Sequence, residues 1–225
     1  MIFNKDGIAF PDYQKQRGAI FRDTSNHDLR QWRYCQKLFK NTRLCLDFGG
    51  HVGTSAIQYS TLFDNVFSFE PIPALYECLE YNTRDIENIL INNIAIGNKN
   101  EEVTIYINPE NSGANVVQSE STQKIIDTRW NNQLRRNFVK EKPIKVECRT
   151  IDSFNFNHVD FIKIDTEGYN LEPLIGMQET LKRCSPVIQL ERAVPHIEEP
   201  QRFLEDFGYK LVNTIVLDDI FVREE

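Results

Sequence analysis

Four short apolar runs in this chain each stop at an acidic residue. Leu44-Cys-Leu46 meets Asp47, Val66-Phe-Ser-Phe69 meets Glu70, Val159 to Ile164 meets Asp165, and Pro186 to Leu190 meets Glu191. Each has strand length, and Val159 to Ile164 is nearly continuous in its apolar character, as a strand buried on both faces requires. Between the runs the period becomes helical. Thr54 to Phe63 carries Ala56, Ile57, Tyr59 and Ser60 at helical spacing and no proline. Pro71 and Pro73 open the next helix, where a fixed φ suits the first turn, and Leu75, Leu79 and Ile86 form its stripe. Leu171, Leu174, Ile175, Met177 and Leu181 predict one helix after Asp165. Strands alternating with helices build a parallel sheet covered on its faces, and right-handed crossovers make it doubly wound.

The remaining segments extend this plan. Ile89 to Ile96 reads as one further strand, while Glu102 to Ile107 and Lys145 to Arg149 alternate apolar and polar residues as half-buried strands do. Gln201 to Phe207 is helical and Gly208 stops it. Tyr209–Val212 and Ile215–Val222 pair as a closing hairpin. Upstream, Asn26 is placed to cap a helix carrying Leu29, Trp32, Gln36 and Phe39. The fold class is α/β, a doubly wound, mostly parallel sheet with a C-terminal antiparallel hairpin. Residues 1–43 read as an N-terminal helical cover and 44–225 as the sheet domain, with an insertion at 108–142.

Ligands of open α/β sheets sit beyond the carboxyl ends of the strands. Here those ends carry Asp47, Glu70, Asp165 and Glu191, so the expected site is acidic. The net charge of −7 has the same sign and disfavours a nucleic-acid partner. Five cysteines, an odd number with no CxxC, argue against a disulfide framework and for a reducing, cytoplasmic compartment. No run approaches the ~20 apolar residues that span a bilayer, and the charge order of Met1 to Asp6 does not suit a secretory signal. The four histidines form no His-x-x-x-His pair, and no metal site is expected from them.

The turn after the first strand, Asp47-Phe-Gly-Gly-His-Val-Gly53, allows a ligand to approach the following helix closely. It fails the dinucleotide fingerprint, which needs glycine at His51 and Thr54, and it lacks the Gly-Lys-Ser/Thr of a phosphate loop. A carboxylate at Asp47 repels a pyrophosphate and attracts a cation. S-adenosylmethionine, with its sulfonium and α-ammonium, suits this turn better than NAD or ATP. Glu70 follows Gly53 by 17 residues, near the ~20-residue offset at which an acid grips ribose hydroxyls. Asp165 and Glu167 stand at i and i+2 before Gly168, where paired carboxylates act as a base, bind a metal or raise one another's pKa. Glu191, at the end of the next strand, faces the same mouth.

These residues fall in blocks that resemble the FkbM family of S-adenosylmethionine-dependent methyltransferases. The blocks are Leu46 to Gly53, Phe69-Glu-Pro-Ile-Pro73 with Leu79 and Asn82, Asn93 to Gly97, Thr150-Ile-Asp152, and Ile162 to Gly168 with Leu174 to Gly176. The resemblance covers roughly residues 44–192. It implies the Rossmann-like class I methyltransferase fold, S-adenosyl-L-methionine as cofactor, and O-methylation of a small-molecule or sugar acceptor. By the family pattern Asp47, Gly49 and Gly53 line the methionine end, with Gly50 and His51 in the same turn. Glu70 then holds the ribose, and Asn93 to Ala95 lie near adenine. His51 stands where the family commonly has Asn. Asp165 ranks first as the base on strand-end geometry, ahead of Glu167 and Glu191. Alternatives at this point are an RNA or protein methyltransferase, a nucleotide-dependent oxidoreductase, and a non-catalytic interaction subunit of the same fold.

Residues 108–142 match the family least and carry a charge of +2, six Lys/Arg against four Asp/Glu, in a chain whose remainder is −9. Ile126, Trp130, Leu134 and Phe138 recur every fourth residue, which predicts a helix over 121–140. One reading is a solvated basic face. The other is a lid whose cations, Arg135 and Arg136 among them, meet an acidic acceptor.

Overall fold

The computed structural model describes residues 1–12, 29–108, 113, 115–119, 122, 143–192 and 198–223. In chain order the first elements are β1 (Ile2–Phe3), β2 (Ala9–Phe10), α1 (Leu29–Cys35), β3 (Leu44–Phe48), α2 (Thr54–Ser60), β4 (Asn65–Phe69) and α3 (Pro73–Thr83). There follow β5 (Ile89–Asn92), β6 (Ala95–Ile96), β7 (Glu101–Tyr106), β8 (Val116–Val117), β9 (Ile144–Arg149) and β10 (Phe161–Ile164). The last are α4 (Leu171–Ile175), α5 (Gln178–Cys184), β11 (Val187–Glu191), α6 (Glu199–Asp206), β12 (Tyr209–Ile215) and β13 (Asp218–Arg223).

The four acid-terminated runs become β3, β4, β10 and β11, neighbours in a seven-stranded sheet of order β12-β13-β11-β10-β3-β4-β5. The pairs β3–β4, β4–β5, β3–β10 and β10–β11 are parallel, and β13 runs antiparallel to both β11 and β12. From β3 the chain winds first to β4 and β5, then returns to β10 and β11 on the other side, so the winding reverses between β3 and β10. Side chains alternate along each strand. Leu46, Phe48, Ile162, Ile164, Ile188 and Leu190 face Leu174, Leu181 and Leu204 of the three C-terminal helices. Cys45, Val66, Phe161 and Val187 face Trp32 of α1 and Ala56 and Tyr59 of α2. Every residue of β3 and β10 is buried, as strands covered on both faces should be.

Three local readings are corrected. The single strand expected over Ile89 to Ile96 is two. β5 stays in the main sheet, while β6 leaves it to pair with β9 in a second sheet of order β6-β9-β7-β8. Between them Asn93 donates its side-chain N–H to the Glu70 carbonyl (2.8 Å), which ties down the chain where it changes sheets. The helix expected from Leu171 to Leu181 is broken between α4 and α5. A Cβ at Gly176 would fall 1.9 Å from the Gly97 carbonyl oxygen, so the break admits the Gly97 backbone. The N-terminal segment contributes more than a helix, because β1 and β2 form an antiparallel hairpin. Asn26 and the expected helix over 121–140 apart from Thr122, with Trp130, Arg135 and Arg136 included, lie outside the described residues. Among the described residues no helix is long and apolar enough to cross a membrane.

Candidate functional site

The reversal between β3 and β10 opens a crevice at their carboxyl ends, and the glycine turn after β3 forms one wall of it. Gly49 has φ +84, and a Cβ there would sit 1.9 Å from the Asp165 carbonyl oxygen. A Cβ at Gly50 would meet Ser68 Oγ at 2.1 Å. The turn therefore presses against the ends of β4 and β10 in a way that only glycine permits. Gly49 and Gly50 both donate their backbone N–H to the Phe69 carbonyl, at 3.0 Å each. Asp47 lies deeper, fully buried within β3, and accepts a hydrogen bond from the Ser68 hydroxyl (2.8 Å).

Glu70 fastens the turn from the side of β4. Its two carboxylate oxygens accept the backbone N–H of His51 (2.8 Å) and of Ile72 (2.9 Å). Burial pushes its pKa up to about 8. The two N–H donors oppose that shift, and the charges of Asp47 and Asp165 add to it.

The facing wall is built on β10 and β11. Lys163 is only 2% exposed, and its register partners are Asp47 on β3 and Gln189 on β11. Its ammonium lies 2.6 Å from Asp165 Oδ2. After Asp165 the chain turns through Glu167 (φ 51) and Gly168 (φ 96), a strained pair for which the non-glycine member bears the cost. Thr166 Oγ1 lies 2.8 Å from the Tyr169 carbonyl and 2.7 Å from Asn170 Oδ1. Asn170 in turn donates to the Glu191 carbonyl (2.7 Å), fixing this turn to the end of β11. As a result one carboxylate oxygen from each of Asp165, Glu167 and Glu191 lies within 4.8 Å of the others, close enough to share one cation. Burial, then the charges of Asp165 and Glu167, push the pKa of Glu191 far above the carboxylate range.

Together the walls enclose a cavity of about 420 Å³, within the range of small-molecule sites. Gly49, Gly50, His51, Glu70 and Ala95 line it, as do Asp165, Glu167 and Glu191. Asp47 and Gly53 do not reach it and lie buried behind it, and the exposed Asn93 does not reach it either. Phe10, Ile72, Ile105 and Tyr169 supply apolar surface.

The family profile described as "Methyltransferase FkbM domain" matches residues 47–221, most of the chain. The chain belongs to the FkbM methyltransferase family. Among solved structures it is similar to an FkbM methyltransferase from Methylobacillus flagellatus, with 15% identity and a TM-score of 0.55 over 89% of this chain. The chain spans 48% of that protein's length. It is also similar to precorrin 8w decarboxylase from Methanobacterium thermoautotrophicum, with 10% identity and a TM-score of 0.51 over 100% of both chains. At these identities the likeness is one of fold, the class I methyltransferase fold. No curated protein sequence matches the chain.

The cofactor of the FkbM family is S-adenosyl-L-methionine, and the chemistry of this cavity fits it. Carboxylates suit a sulfonium, an ammonium and a ribose diol. The apolar surface of Ile72, Leu75 and Ala95 suits an adenine. Sequence reasoning singled out the acids and glycines of this FkbM site but not Lys163, Tyr169 or Phe10. For Lys163 a signal existed, because a lysine inside an otherwise apolar strand needs a buried partner. For Phe10, well ahead of the family match, there was none.

Proposed function

We propose that this chain transfers a methyl group from S-adenosylmethionine to the hydroxyl oxygen of a small-molecule or sugar acceptor. The observation that carries this reading is that the glycine turn, Glu70 and the three clustered carboxylates line one cavity at the topological switch point. When bound, the cofactor supplies an electrophilic methyl group. Glu70 accepts from the ribose hydroxyls, Gly49, Gly50 and His51 cradle the methionine end, Ala95 frames the adenine, and Asn93 supports that side through its bond to the Glu70 carbonyl. Asp47 and Gly53 support that wall from behind. Asp165 would take the proton of the acceptor hydroxyl as that oxygen displaces the neutral thioether S-adenosylhomocysteine from the methyl carbon, with Lys163 holding the carboxylate in place. Glu167 and Glu191 flank it, and the fixed walls align acceptor and donor.

The described lining is acidic apart from Lys163 and His51, which favours a neutral hydroxyl acceptor. An acidic acceptor would need the cations of the 108–142 segment, most of which lies outside the described residues. The sheet domain over 44–225 does this work, with 1–43 as its cover. A cytoplasmic location belongs to the same reading and is supported by five free cysteines. Calorimetry with S-adenosylhomocysteine, followed by transfer of a labelled methyl group to a panel of hydroxylated acceptors, tests the proposal. Micromolar binding and acceptor-dependent transfer are expected. Absence of binding by folded protein would overturn it.

A further inference from the structure

The N-terminal hairpin lies outside the family match, yet its last residue lines the cavity. β1 and β2 pair through only Ile2–Phe10 and Phe3–Ala9, and the Asn4 side chain closes their turn by accepting the N–H of Asp6 (3.0 Å) and Ile8 (2.8 Å). Two strands of this length have no stability of their own in water. Their position is set by Asn82 on α3. Its side-chain oxygen accepts the Ala9 N–H (2.8 Å), and its amide nitrogen donates to the Ala9 carbonyl (3.1 Å). The same nitrogen donates to the Val52 carbonyl of the glycine turn (2.7 Å). One amide thus holds the hairpin and the cofactor turn together, with both of its hydrogens used. The latch buries Ala9 completely and leaves Phe10 4% exposed. Phe10 packs with Val52, Ile72, Leu75 and Ala95, its ring edge-on to His51 at 6.3 Å between centroids.

We propose that the hairpin is a working wall of the cofactor pocket, with Phe10 a binding residue for the nucleoside and Asn82 the positioning residue that couples hairpin and glycine turn. This rests on the reading of the cavity as the S-adenosylmethionine site. Because the Asn82 side chain bonds to both segments, a ligand that settles the turn also settles the hairpin, and the coupling is reciprocal.

The test uses the full chain and S-adenosylhomocysteine, with calorimetry and amide hydrogen exchange as readouts. In the wild type, the ligand should slow exchange across residues 1–10 as well as across the glycine turn. Phe10→Ala should weaken binding about tenfold, the size of an aromatic contact of about 1.4 kcal/mol, and Phe10→Leu should restore most of it. Asn82→Ala should speed exchange of the hairpin without ligand and weaken binding, while the melting transition stays cooperative. Wild-type protein that binds no S-adenosylhomocysteine overturns both this inference and the cofactor reading. Wild-type protein that binds it without slowing hairpin exchange, or a folded Phe10→Ala that binds equally well, overturns this inference alone. The exchange measurement on wild type needs no variant, so a misfolded mutant does not spare the proposal.

Discussion

Glu70 gives cofactor binding a pH dependence whose sign and size follow from its surroundings. Buried against the glycine turn, it holds its proton up to about pH 8. Ribose hydroxyls are donors, and with backbone donors already on both Glu70 oxygens their arrival favours the ionised carboxylate. Below that pH, binding has to expel a proton, at about 1.4 kcal/mol and a factor of ten in affinity per pH unit. Adenosine is the clean probe, because it carries the diol and no group that titrates between about pH 5 and 9. Its affinity should rise roughly fiftyfold between pH 6 and 8 and level off above that. Calorimetry in buffers of different ionisation heat should register nearly one proton released at pH 6. Glu70→Gln should remove the dependence, and it should bind more weakly at every pH, since its amide N–H₂ faces the N–H of His51 or Ile72. A wild-type affinity that is flat from pH 6 to 8, or binding without proton release, would refute the role given to Glu70. Without ligand the same linkage acts on stability. The folded state holds the proton between 4.5 and about 8 and the unfolded state does not, so stability falls as pH rises through that window. Glu70→Gln should flatten part of that fall in denaturant titrations.

The structure fixes further outcomes. Gly49→Ala should lose roughly 2–5 kcal/mol in urea titrations, combining a left-handed backbone with a clash against a carbonyl that cannot move aside. Gly53→Ala should lose less, because its Cβ meets the flexible tip of Leu79 at 2.8 Å. Asp152 accepts the N–H groups of Glu179 and Thr180 at the start of α5, together with the Thr180 hydroxyl. Asp152→Ala should therefore cost about 1–2 kcal/mol of stability and leave S-adenosylhomocysteine affinity unchanged.

The sheet was legible because its strands carry their own punctuation. Runs ending in Asp47, Glu70, Asp165 and Glu191 could be placed as strands without any tertiary information, and all four are neighbours in the sheet. What the pattern could not register is contact between segments distant in sequence. Gly176 looks like an ordinary loop glycine, yet it leaves room for the Gly97 backbone and so divides one predicted helix into two. Ile89 to Ile96 has the composition of one strand, and only the bond from Asn93 to the end of β4 marks where it changes sheets. The hairpin at Ala9 and Phe10 is held by a side chain on α3, so nothing in residues 1–12 themselves announces it. Of the acids named from sequence, Glu70, Asp165, Glu167 and Glu191 line the cavity, while Asp47 lies buried behind its wall.

Charge separates the roles within the carboxylate cluster. Three carboxylates within 4.8 Å of one another cannot all ionise at neutral pH without a cation. Lys163 supplies one, and it is placed on Asp165 at 2.6 Å. Burial and the Asp165 and Glu167 charges keep Glu191 protonated, while Lys163 works against that shift. In the proposed mechanism this makes Glu191 the protonated partner and Asp165, beside the ammonium, the base. The pair titrates as a unit, so the ammonium sets its overall proton affinity. Lys163→Met keeps the length of the side chain and withdraws the charge. The acid limb of the kcat profile should then move upward by about one pH unit or more, so that activity lost at neutral pH returns as pH rises. Lys163→Arg should keep the limb near its wild-type position, even if its bulk lowers kcat throughout. If Lys163→Met loses activity by the same factor at every pH, the ammonium holds the strand ends in place and does not govern the proton. Asp165 would then have no claim to the base over Glu167.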